Sequence, residues 1–526
     1  MVSIFRRWIT ILGGSLGSVG LASLMAIANN PPSSPTETLP LEAQDLLKMP
    51  TDPLALPTNL DQVTDQAAIA ISLAEALELA QTNNRTLQIS KQQLAQAEFN
   101  VRSAESRYLP NLSIASNLNS AVYSLDVLEQ KFYNQLFSSV GLDYNQTQTN
   151  IPVFNQETEQ LVFYSISPLD SPINTFDTTL TLSYLLYGGE GRSASLRSAQ
   201  EKLKIQQLQV TVQELTLFQQ TRSAYYDIQQ AQAQIEIAKE NLNNAQISFN
   251  DADALRQAGF ATIADVLQAQ VQVKNAEQQL AQAQGDLISA QSNLTQILSL
   301  ADGVVVTAAD EIRLESTWPY SLEKSLLLAY ENRPELQQQL AQRQIAQAEQ
   351  DIALANVRPQ LSLIAQTDLN KALNSGAGYP EGIDANWALG YSLTAQMRWD
   401  FFDGGNALAQ KQSAQASEQI ADTQFANLHN QIRQQITQDY TSLQVASQNY
   451  RTANEAVDLA QQNLAANRTR FVAGVGTQLD VITAQNNLNQ SKLSLLRAIV
   501  SYNQAIANLK RGIGSDDISN LNENSN

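Results

Sequence analysis

The sequence contains no cysteine and a single histidine, His429, among 526 residues. Without cysteine the chain forms no disulfide, offers no thiolate to a metal and has no cysteine nucleophile or lipid-modified N-terminal cysteine. One histidine makes a histidine-based metal site or a catalytic triad implausible. No nucleophile with a matching base and no phosphate-binding loop is present either, so we expect no catalytic residue, metal or cofactor and predict that the protein is not an enzyme.

Aromatic and charged residues are also scarce, at 6% and 16% of the chain. Ala, Gln, Leu, Asn and Ser fill the difference, which favours long helices packed through small side chains over several globular domains. The net charge is −19, and Lys and Arg are not clustered. A nucleic-acid partner would need such a basic cluster, so none is expected.

The N-terminus has the order of features found in an export signal. Arg6 and Arg7 precede an apolar stretch that ends in the small-residue pattern Ala26-Ile27-Ala28. Residues 1–28 are therefore interpreted as a signal peptide, although the stretch is long enough to remain as a membrane anchor. The Pro- and Ser-rich residues 29–68 are predicted to be an extended or disordered linker.

Three sequence motifs occur twice, in the same order. The pairs are RYLPNLSI (107–114) with NVRPQLSL (356–363), LYGGEGR (186–192) with FFDGGNA (401–407), and AGFATIADVLQAQ (258–270) with AGVGTQLDVITAQ (473–485). The chain is thus predicted to contain two repeats. Each runs as short helix, helix, strand, loop, strand, Gly-Gly, very long helix, glycine turn and long helix.

These repeats give predicted domain boundaries. They are repeat 1 at 69–303, a linker at 304–320, repeat 2 at 321–512 and a disordered tail at 513–526. Repeat 1 has strands near 111–119 and 178–187 and a helical hairpin at 190–300 with its tip near 258–263. Repeat 2 has strands near 360–369 and 389–402 and a hairpin at 405–511 with its tip near 473–478.

Both predicted hairpins carry a heptad seam in which a large residue alternates with alanine. In repeat 1 the seam runs through Ile228, Ala231, Ile235, Ala238, Leu242, Ala245, Phe249 and Ala252, and resumes at Val266, Ala269, Val273 and Ala276. In repeat 2 it includes Leu443, Ala446, Val457, Ala460, Val481, Ala484, Leu488 and Ala498. Steps of three and four residues predict an antiparallel coiled coil, and the alanines allow close helix approach.

The predicted strands alternate between apolar and polar residues. In 389–401 every second residue from Leu389 to Phe401 is apolar. The residues between them, which include Arg398 and Asp400, form the polar face. Aromatic residues at the strand ends and a length near ten residues favour a lipid-facing barrel over a strand of a soluble sandwich. Four strands cannot close a barrel and an open edge is not tolerated in lipid, so several chains would have to share one barrel. The segments 119–177 and 370–388 are predicted to be loops.

The signal sequence, the duplicated unit, the "LP" and "RP" helix-to-strand junctions, the "GG" junctions and the two "AG…DV…AQ" tips resemble the TolC-type outer-membrane efflux family over about residues 70–512. The resemblance implies a homotrimer with a twelve-stranded barrel in outer-membrane lipid and a periplasmic α-barrel of coiled-coil helices. It also implies partners, namely a periplasmic adaptor and an inner-membrane transporter of ABC or RND type. The cargo would be drugs, lipids or polypeptides.

The resemblance further implies an acidic ring at the closed end of the tunnel. The matching positions are Asp480 and Thr483, where the family often has a second aspartate, so the ring is expected to be weaker here. Asp480 has a competing structural role, because Thr477 and Asp480 form a T-x-x-D helix-start capping box, as do Thr262 and Asp265.

Two further sets of residues are candidates. The hairpin tips, implied to contact the adaptor, comprise Gly259, Thr262, Asp265, Gly474, Gly476, Thr477, Arg256, Arg470 and Phe471. The barrel-to-helix junctions comprise Gly188, Gly189, Gly404, Gly405, Pro110 and Pro359, which are expected to redirect the chain. The leading functional hypothesis is a passive exit duct of a tripartite efflux or type I secretion system. The alternative is a periplasmic coiled-coil structural or adaptor protein that spans no membrane.

Overall fold

A computed structural model describes residues 47, 54, 56–64, 68–121, 149–155, 160–166, 173–373 and 387–516. The predicted signal peptide, most of the first linker and the chain beyond 516 lie outside these residues. All elements described below belong to one compact unit, Lys48–Asn526.

Helices dominate the described chain. They are α1 (Leu73–Asn83), α2 (Arg85–Ser106), α3 (Gly191–Gln257), α4 (Ile263–Leu298), α5 (Leu322–Asn332), α6 (Pro334–Ala355), α7 (Asn406–Val472) and α8 (Gln478–Gly512). The strands are β1 (Ile69–Ile71), β2 (Asn111–Ala121), β3 (Thr149–Asn155), β4 (Gln160–Ile166), β5 (Ile173–Gly188), β6 (Val306–Ala308), β7 (Gln360–Ala372) and β8 (Ala388–Arg398). A short 3-10 helix covers Leu60–Gln62.

The principal sheet has four antiparallel strands in the order β2-β5-β7-β8. Its centre is the β5–β7 pair, in which Leu182 lies opposite Ala365, so the two repeats join there. The register shifts between Leu185 and Tyr187, next to the β5–α3 junction. Within the described chain β2 and β8 each have one partner strand and form the two edges of the sheet.

The two long helices that leave this sheet have 67 residues each, α3 and α7. At 1.5 Å rise per residue each extends about 100 Å. α3 folds back as α4 (the first hairpin) and α7 folds back as α8 (the second hairpin). The predicted heptad seams are confirmed, because Ala245 packs with Val273 and Ala276, and Val457 and Ala460 pack with Leu488.

An apolar core lies midway along α7, where α5, α6 and α8 meet it. Ile432, Ile436 and Leu509 are fully buried there, and the indole Nε1 of Trp318 donates to Ser325 Oγ at 3.1 Å. A second contact joins α3 to the segment between the repeats. The hydroxyl of the buried Tyr225 of α3 donates to Asp310 Oδ2 at 3.0 Å.

Several predicted boundaries need correction. The segment 119–177 is not only loop, since β3 and β4 form a hairpin within it. The predicted linker 304–320 contains β6, which pairs in parallel with β1 through three residues. Residues 513–516 are not a disordered tail: Ile513 is fully buried and Asp516 pairs with Arg222. The strand predicted to reach 402 ends at Arg398, whose Nε instead pairs with Asp400 Oδ2 at 2.9 Å.

Among the described helices, none is both long and apolar enough to cross a membrane.

Candidate functional site at the hairpin tips

Each hairpin reverses direction through a glycine in the left-handed conformation. Gly259 has φ +83° and Gly474 has φ +73°. The helix before each glycine ends with backbone hydrogen bonds from Phe260 N–H to Leu255 O at 2.8 Å and from Val475 N–H to Arg470 O at 3.0 Å. A side chain would meet no atom within 4 Å at either glycine, so the restriction there comes from the backbone conformation and not from space.

The helix after each tip begins with the predicted capping box, which is confirmed at both positions. Thr262 Oγ1 accepts from the backbone N–H of Asp265, while the Asp265 carboxylate accepts from the hydroxyl and the backbone N–H of Thr262 at 2.7 and 2.8 Å. Thr477 and Asp480 repeat this arrangement at 2.7 and 3.0 Å. Both carboxylates are thereby held as anions in the first turn of a helix.

The second tip concentrates negative charge at an exposed position. The backbone N–H and then the hydroxyl of Thr477 donate to Asp480, and together with the charge of Arg470 they hold the pKa of Asp480 below its ordinary value. At the first tip the Thr262 hydroxyl and backbone lower the pKa of Asp265. Asp480 and Thr483 are both exposed in the isolated chain. An ionised carboxylate at this position attracts cations over a wide pH range.

The candidate contact residues at the tips differ in accessibility. Phe471 is not an available contact, because only 8% of its surface is exposed. Arg256 pairs with Asp253 at 3.1 Å on its own helix. Among the apolar residues at the tips, the most accessible is Phe260 of the first tip. It is 83% exposed and was not among the predicted contacts.

Two ion pairs connect the hairpins near the tips, and sequence analysis did not identify either. Lys492 of α8 pairs with both oxygens of Glu240 of α3 at 2.6 Å, and Arg468 of α7 reaches Asp251 of α3 at 3.4 Å. A groove of about 770 Å³ lies between α3, α7 and α8 in this region and includes Glu240, Lys492 and Arg468 in its lining. The partners are more than 200 positions apart in sequence, so no local pattern signals the pairing.

Gln478, the first residue of α8, is an unusual buried residue. It is 2% exposed, and neither its side-chain oxygen nor its nitrogen has a hydrogen-bond partner within the described chain. The two tips align at a spacing of 215 positions (473 minus 258), which makes Ile263 its equivalent in the first repeat. Ile263 is 62% exposed. The polar residue is buried and the apolar one exposed, the reverse of what transfer from water favours.

The two strand-to-helix junctions also differ. A side chain at Gly189 would lie 2.8 Å from Arg358 Cβ and 2.9 Å from Ala355 O, so only glycine fits this contact between the repeats. Beside it Glu190 has φ +72° and pairs with Arg358. At the equivalent Gly404 a side chain would meet nothing within 4 Å. Pro110 lies immediately before β2, and Pro359 lies immediately before β7.

A buried cluster of charged residues lies near the C-terminus of α8, at the end of the second hairpin that is remote from its tip. Burial alone would raise the pKa of Glu335, but Arg333 and Arg511 hold it below its ordinary value, and Arg511 Nη2 donates to Glu335 Oε1 at 2.7 Å. Asp439 of α7 is half-buried, and its Oδ2 has no hydrogen-bond partner within the described chain. Burial raises the pKa of Asp439 to about 6, although Arg333 opposes this rise.

The described residues contain no group of three or more histidine and acidic side chains placed to hold a metal ion. The tips offer an exposed carboxylate on each hairpin, with a groove beside the second tip.

Solved structures share this architecture. The outer membrane protein VceC of Vibrio cholerae superposes with a TM-score of 0.66 at 18% identity, over 84% of this chain and 96% of VceC. The outer membrane channel MtrE of Neisseria gonorrhoeae, in its open state, gives a TM-score of 0.63 at 14% identity, over 89% and 98%. The fold is therefore that of the outer membrane channel proteins.

Sequence comparison leads to the family itself. The outer membrane efflux protein family matches residues 76–299 and 326–515, so the chain belongs to that family. Its location is the outer membrane, with the helical part in the periplasm, as the resemblance implies. Nodulation protein T of Rhizobium leguminosarum bv. trifolii is 24% identical over 186 residues, which are 35% of this chain and 38% of that protein. The match thus spans less than two thirds of this relative's length.

Proposed function

We propose that the protein is the passive exit duct of a tripartite efflux or type I secretion system. In this function it conducts drugs, lipids or polypeptides that an inner-membrane transporter of ABC or RND type delivers through a periplasmic adaptor. The proposal includes cleavage of residues 1–28 as an export signal and two repeats near 69–303 and 321–512. The observation that carries it is the continuity of a four-stranded sheet with two hairpins, on a chain of the outer membrane efflux protein family.

The proposed assembly is a homotrimer in which three four-stranded sheets close one twelve-stranded barrel in outer-membrane lipid. The edges β2 and β8 are the strands that a neighbouring copy would pair. The β8 edge is exposed along its whole length, including Leu389, Tyr391 and Leu393. Closure by copies of the same chain satisfies these backbone groups, which lipid cannot do.

The two junctions support the same assembly. Gly189 of repeat 1 packs against Ala355 and Arg358 of repeat 2 within the chain, whereas its equivalent Gly404 has no neighbour there. In a ring of copies Gly404 would meet the next chain at the positions equivalent to Ala355 and Arg358, which are Ser106 and Leu109. The contact between the two repeats of one chain would thus have an equivalent contact between neighbouring copies.

The second tip is the proposed tunnel entrance. Three copies of Asp480 would converge there, with Thr483 beside them, and their carboxylates would favour cations while repelling one another. The groove beside it and the exposed tip residues are the proposed adaptor surface. Opening would follow displacement of the hairpins.

The deciding experiment is single-channel conductance of the detergent-purified protein in a planar bilayer, with the reversal potential measured across a salt gradient. A small, cation-selective conductance from heat-sensitive oligomers is the expected result. Folded oligomers that give no conductance even after variants break both inter-hairpin ion pairs would contradict the duct and favour a coiled-coil role that does not conduct.

A further inference from the structure

The two faces of the principal sheet differ in charge. In the register of β5, β7 and β8 one face, which we call the apolar face, carries Leu180, Leu182, Leu363, Leu369, Leu389 and Leu393. The opposite face is polar and includes Asp177, Asp368 and Arg398. Lys371 of β7 is the one charged residue of the four strands that lies on the apolar face. In the proposed barrel this face would be turned towards lipid.

Lys371 lies at the end of the apolar face that is remote from the helices. β7 begins at Gln360, next to α6, and Lys371 is its second-to-last residue. Leu361 is the first residue of β7 on the apolar face, and the 10 positions from 361 to 371 cover about 34 Å along the strand. A strand tilt of about 40° reduces this to about 26 Å along the membrane normal, close to the height of the apolar band of such a barrel. Because the helical part is periplasmic, Lys371 lies at the outer boundary of that band.

Two aromatic rings flank Lys371 on the apolar face. Phe176 of β5 lies directly opposite it in the register, and Trp387 immediately precedes β8 on its other side. Lys371 Nζ is 5.1 Å from the centroid of the Trp387 ring. The rings of Phe176 and Trp387 meet edge to face at 6.0 Å. A ring face attracts the ammonium charge, but it supplies no anionic acceptor to the three N–H donors of that group.

The charge of Lys371 has no acidic counterpart on its own face of the sheet. The acids of these strands, Asp177 and Asp368, lie on the opposite face, where Asp368 Oδ1 accepts hydrogen bonds from the side chains of Thr179 and Gln366, each at 2.8 Å. A lysine that faces lipid is costly at the centre of the bilayer and is tolerated at its boundary, where the headgroups lie. The group that complements this lysine is therefore an acidic headgroup.

We propose that Lys371, Phe176 and Trp387 form a binding site for an anionic lipid of the outer leaflet. The ammonium group would pair with the acidic group of the lipid, and the two rings would lie against the part of the lipid just below its headgroup. All three residues belong to one sheet and its adjoining residue, so each chain would carry a complete site. This inference rests on the proposed duct, in which the sheet spans the membrane.

Native mass spectrometry of the detergent-purified protein, titrated with phosphatidylglycerol, tests the site. Phosphatidylcholine with the same acyl chains is the zwitterionic reference. Lys371→Gln is expected to weaken the binding of phosphatidylglycerol about fivefold and to leave that of phosphatidylcholine unchanged, whereas Lys371→Arg retains the preference. Lys274→Gln removes an exposed lysine of α4, remote from the sheet, and is expected to change neither.

Two results would overturn the lipid site. One is equal binding of phosphatidylglycerol by Lys371→Gln and the parent protein, and the other is an equal loss for both lipids, which is the behaviour of an apolar surface alone. Trp387→Leu is expected to weaken the preference about twofold to fivefold, and an unchanged preference would remove the ring from the site. Excess inorganic phosphate is expected not to displace the lipid, since displacement would indicate a site for a free anion instead.

Conductance in a planar bilayer separates this inference from the proposed duct. Lys371→Gln is expected to conduct as the parent protein does, because Lys371 lies on the face turned away from the lumen. Conductance from both proteins without a lipid preference would overturn the lipid site alone. Folded protein that conducts in neither form would contradict the duct instead.

Discussion

Replacement of Asp439 by Asn is expected to stabilise the protein at neutral pH and to have no effect in acid. Burial raises the pKa of this carboxyl to about 6 in the folded chain, against an ordinary value of 3.8. The folded state therefore holds the proton more tightly than the unfolded state. The contribution of Asp439 to stability is greatest below pH 3.8, falls as the pH rises towards 6 and is constant above that.

The difference between the two pKa values corresponds to about 3 kcal/mol at pH 7.5. Because Asp439 retains contact with water, screening reduces the expected gain of Asp439→Asn to about 1 to 2 kcal/mol. The groups around it that also carry charge are Arg333, Glu335 and Arg511. Among these carboxyl groups, Asp439 is the one whose pKa is raised by burial, while the pKa of Glu335 is lowered.

The measurement is the unfolding temperature of the purified protein between pH 3.5 and 8, followed by tryptophan fluorescence, to which Trp318 in the same core as Ile436 contributes. A rise of a few degrees for Asp439→Asn at pH 7.5, vanishing at pH 3.5, is expected. Asp458→Asn, at an exposed position of the same helix, is the control for a general charge effect. Equal effects of Asp439→Asn at both pH values, or the same profile in the control, would refute the reasoning.

Three other predictions concern the hairpins. Asp480→Asn should reduce cation preference in reversal-potential measurements while Asp265→Asn does not, and unchanged selectivity in both would leave Asp480 only its capping role. Gly474→Val should impair export with the oligomer intact, because valine is strained at positive φ; normal export would remove the tip geometry from the mechanism, and Gly285→Ala within α4 is the neutral control. Ala269→Leu should destabilise the first hairpin by about 1 to 3 kcal/mol, measured as a lower unfolding temperature, whereas the same change at exposed Ala281, whose equivalent is Leu496, should be tolerated.

The heptad seams, the repeats and the capping boxes could be predicted because each depends on residues close in sequence. A large residue alternating with alanine at steps of three and four specifies which face of α3 and α4 is buried, and T-x-x-D specifies how a helix begins. The strands that begin after Pro110 and Pro359 were predicted from the repeated motifs at 107–114 and 356–363, and alternation predicted the strands near 178–187 and 389–402. Their boundaries moved by a few residues, because the end of a strand depends on its partner.

Contacts between distant segments could not be predicted in the same way. The pairing of β1 with β6 involves three residues on each strand, too few for a pattern to identify. Residues 513–516 are ordered in part by the ion pair of Asp516 with Arg222, which lies almost 300 positions away in sequence. The burial of Gln478, Ile482 and Gln485 on one face of α8 was missed because two of the three are polar, and a search for apolar periodicity does not register them.

Duplication makes these missed contacts interpretable. In the proposed ring of copies, a contact from repeat 1 to repeat 2 within the chain would have an equivalent from repeat 2 to repeat 1 of the next copy. Where the equivalent residues are alike, as with Asp265 and Asp480, their local structures agree. Where they differ, as with Glu190 and Gly405 or Gln478 and Ile263, their surroundings within the chain differ as well. The proposed ring of copies would therefore have two kinds of interface in alternation, one within each chain and one between neighbouring copies.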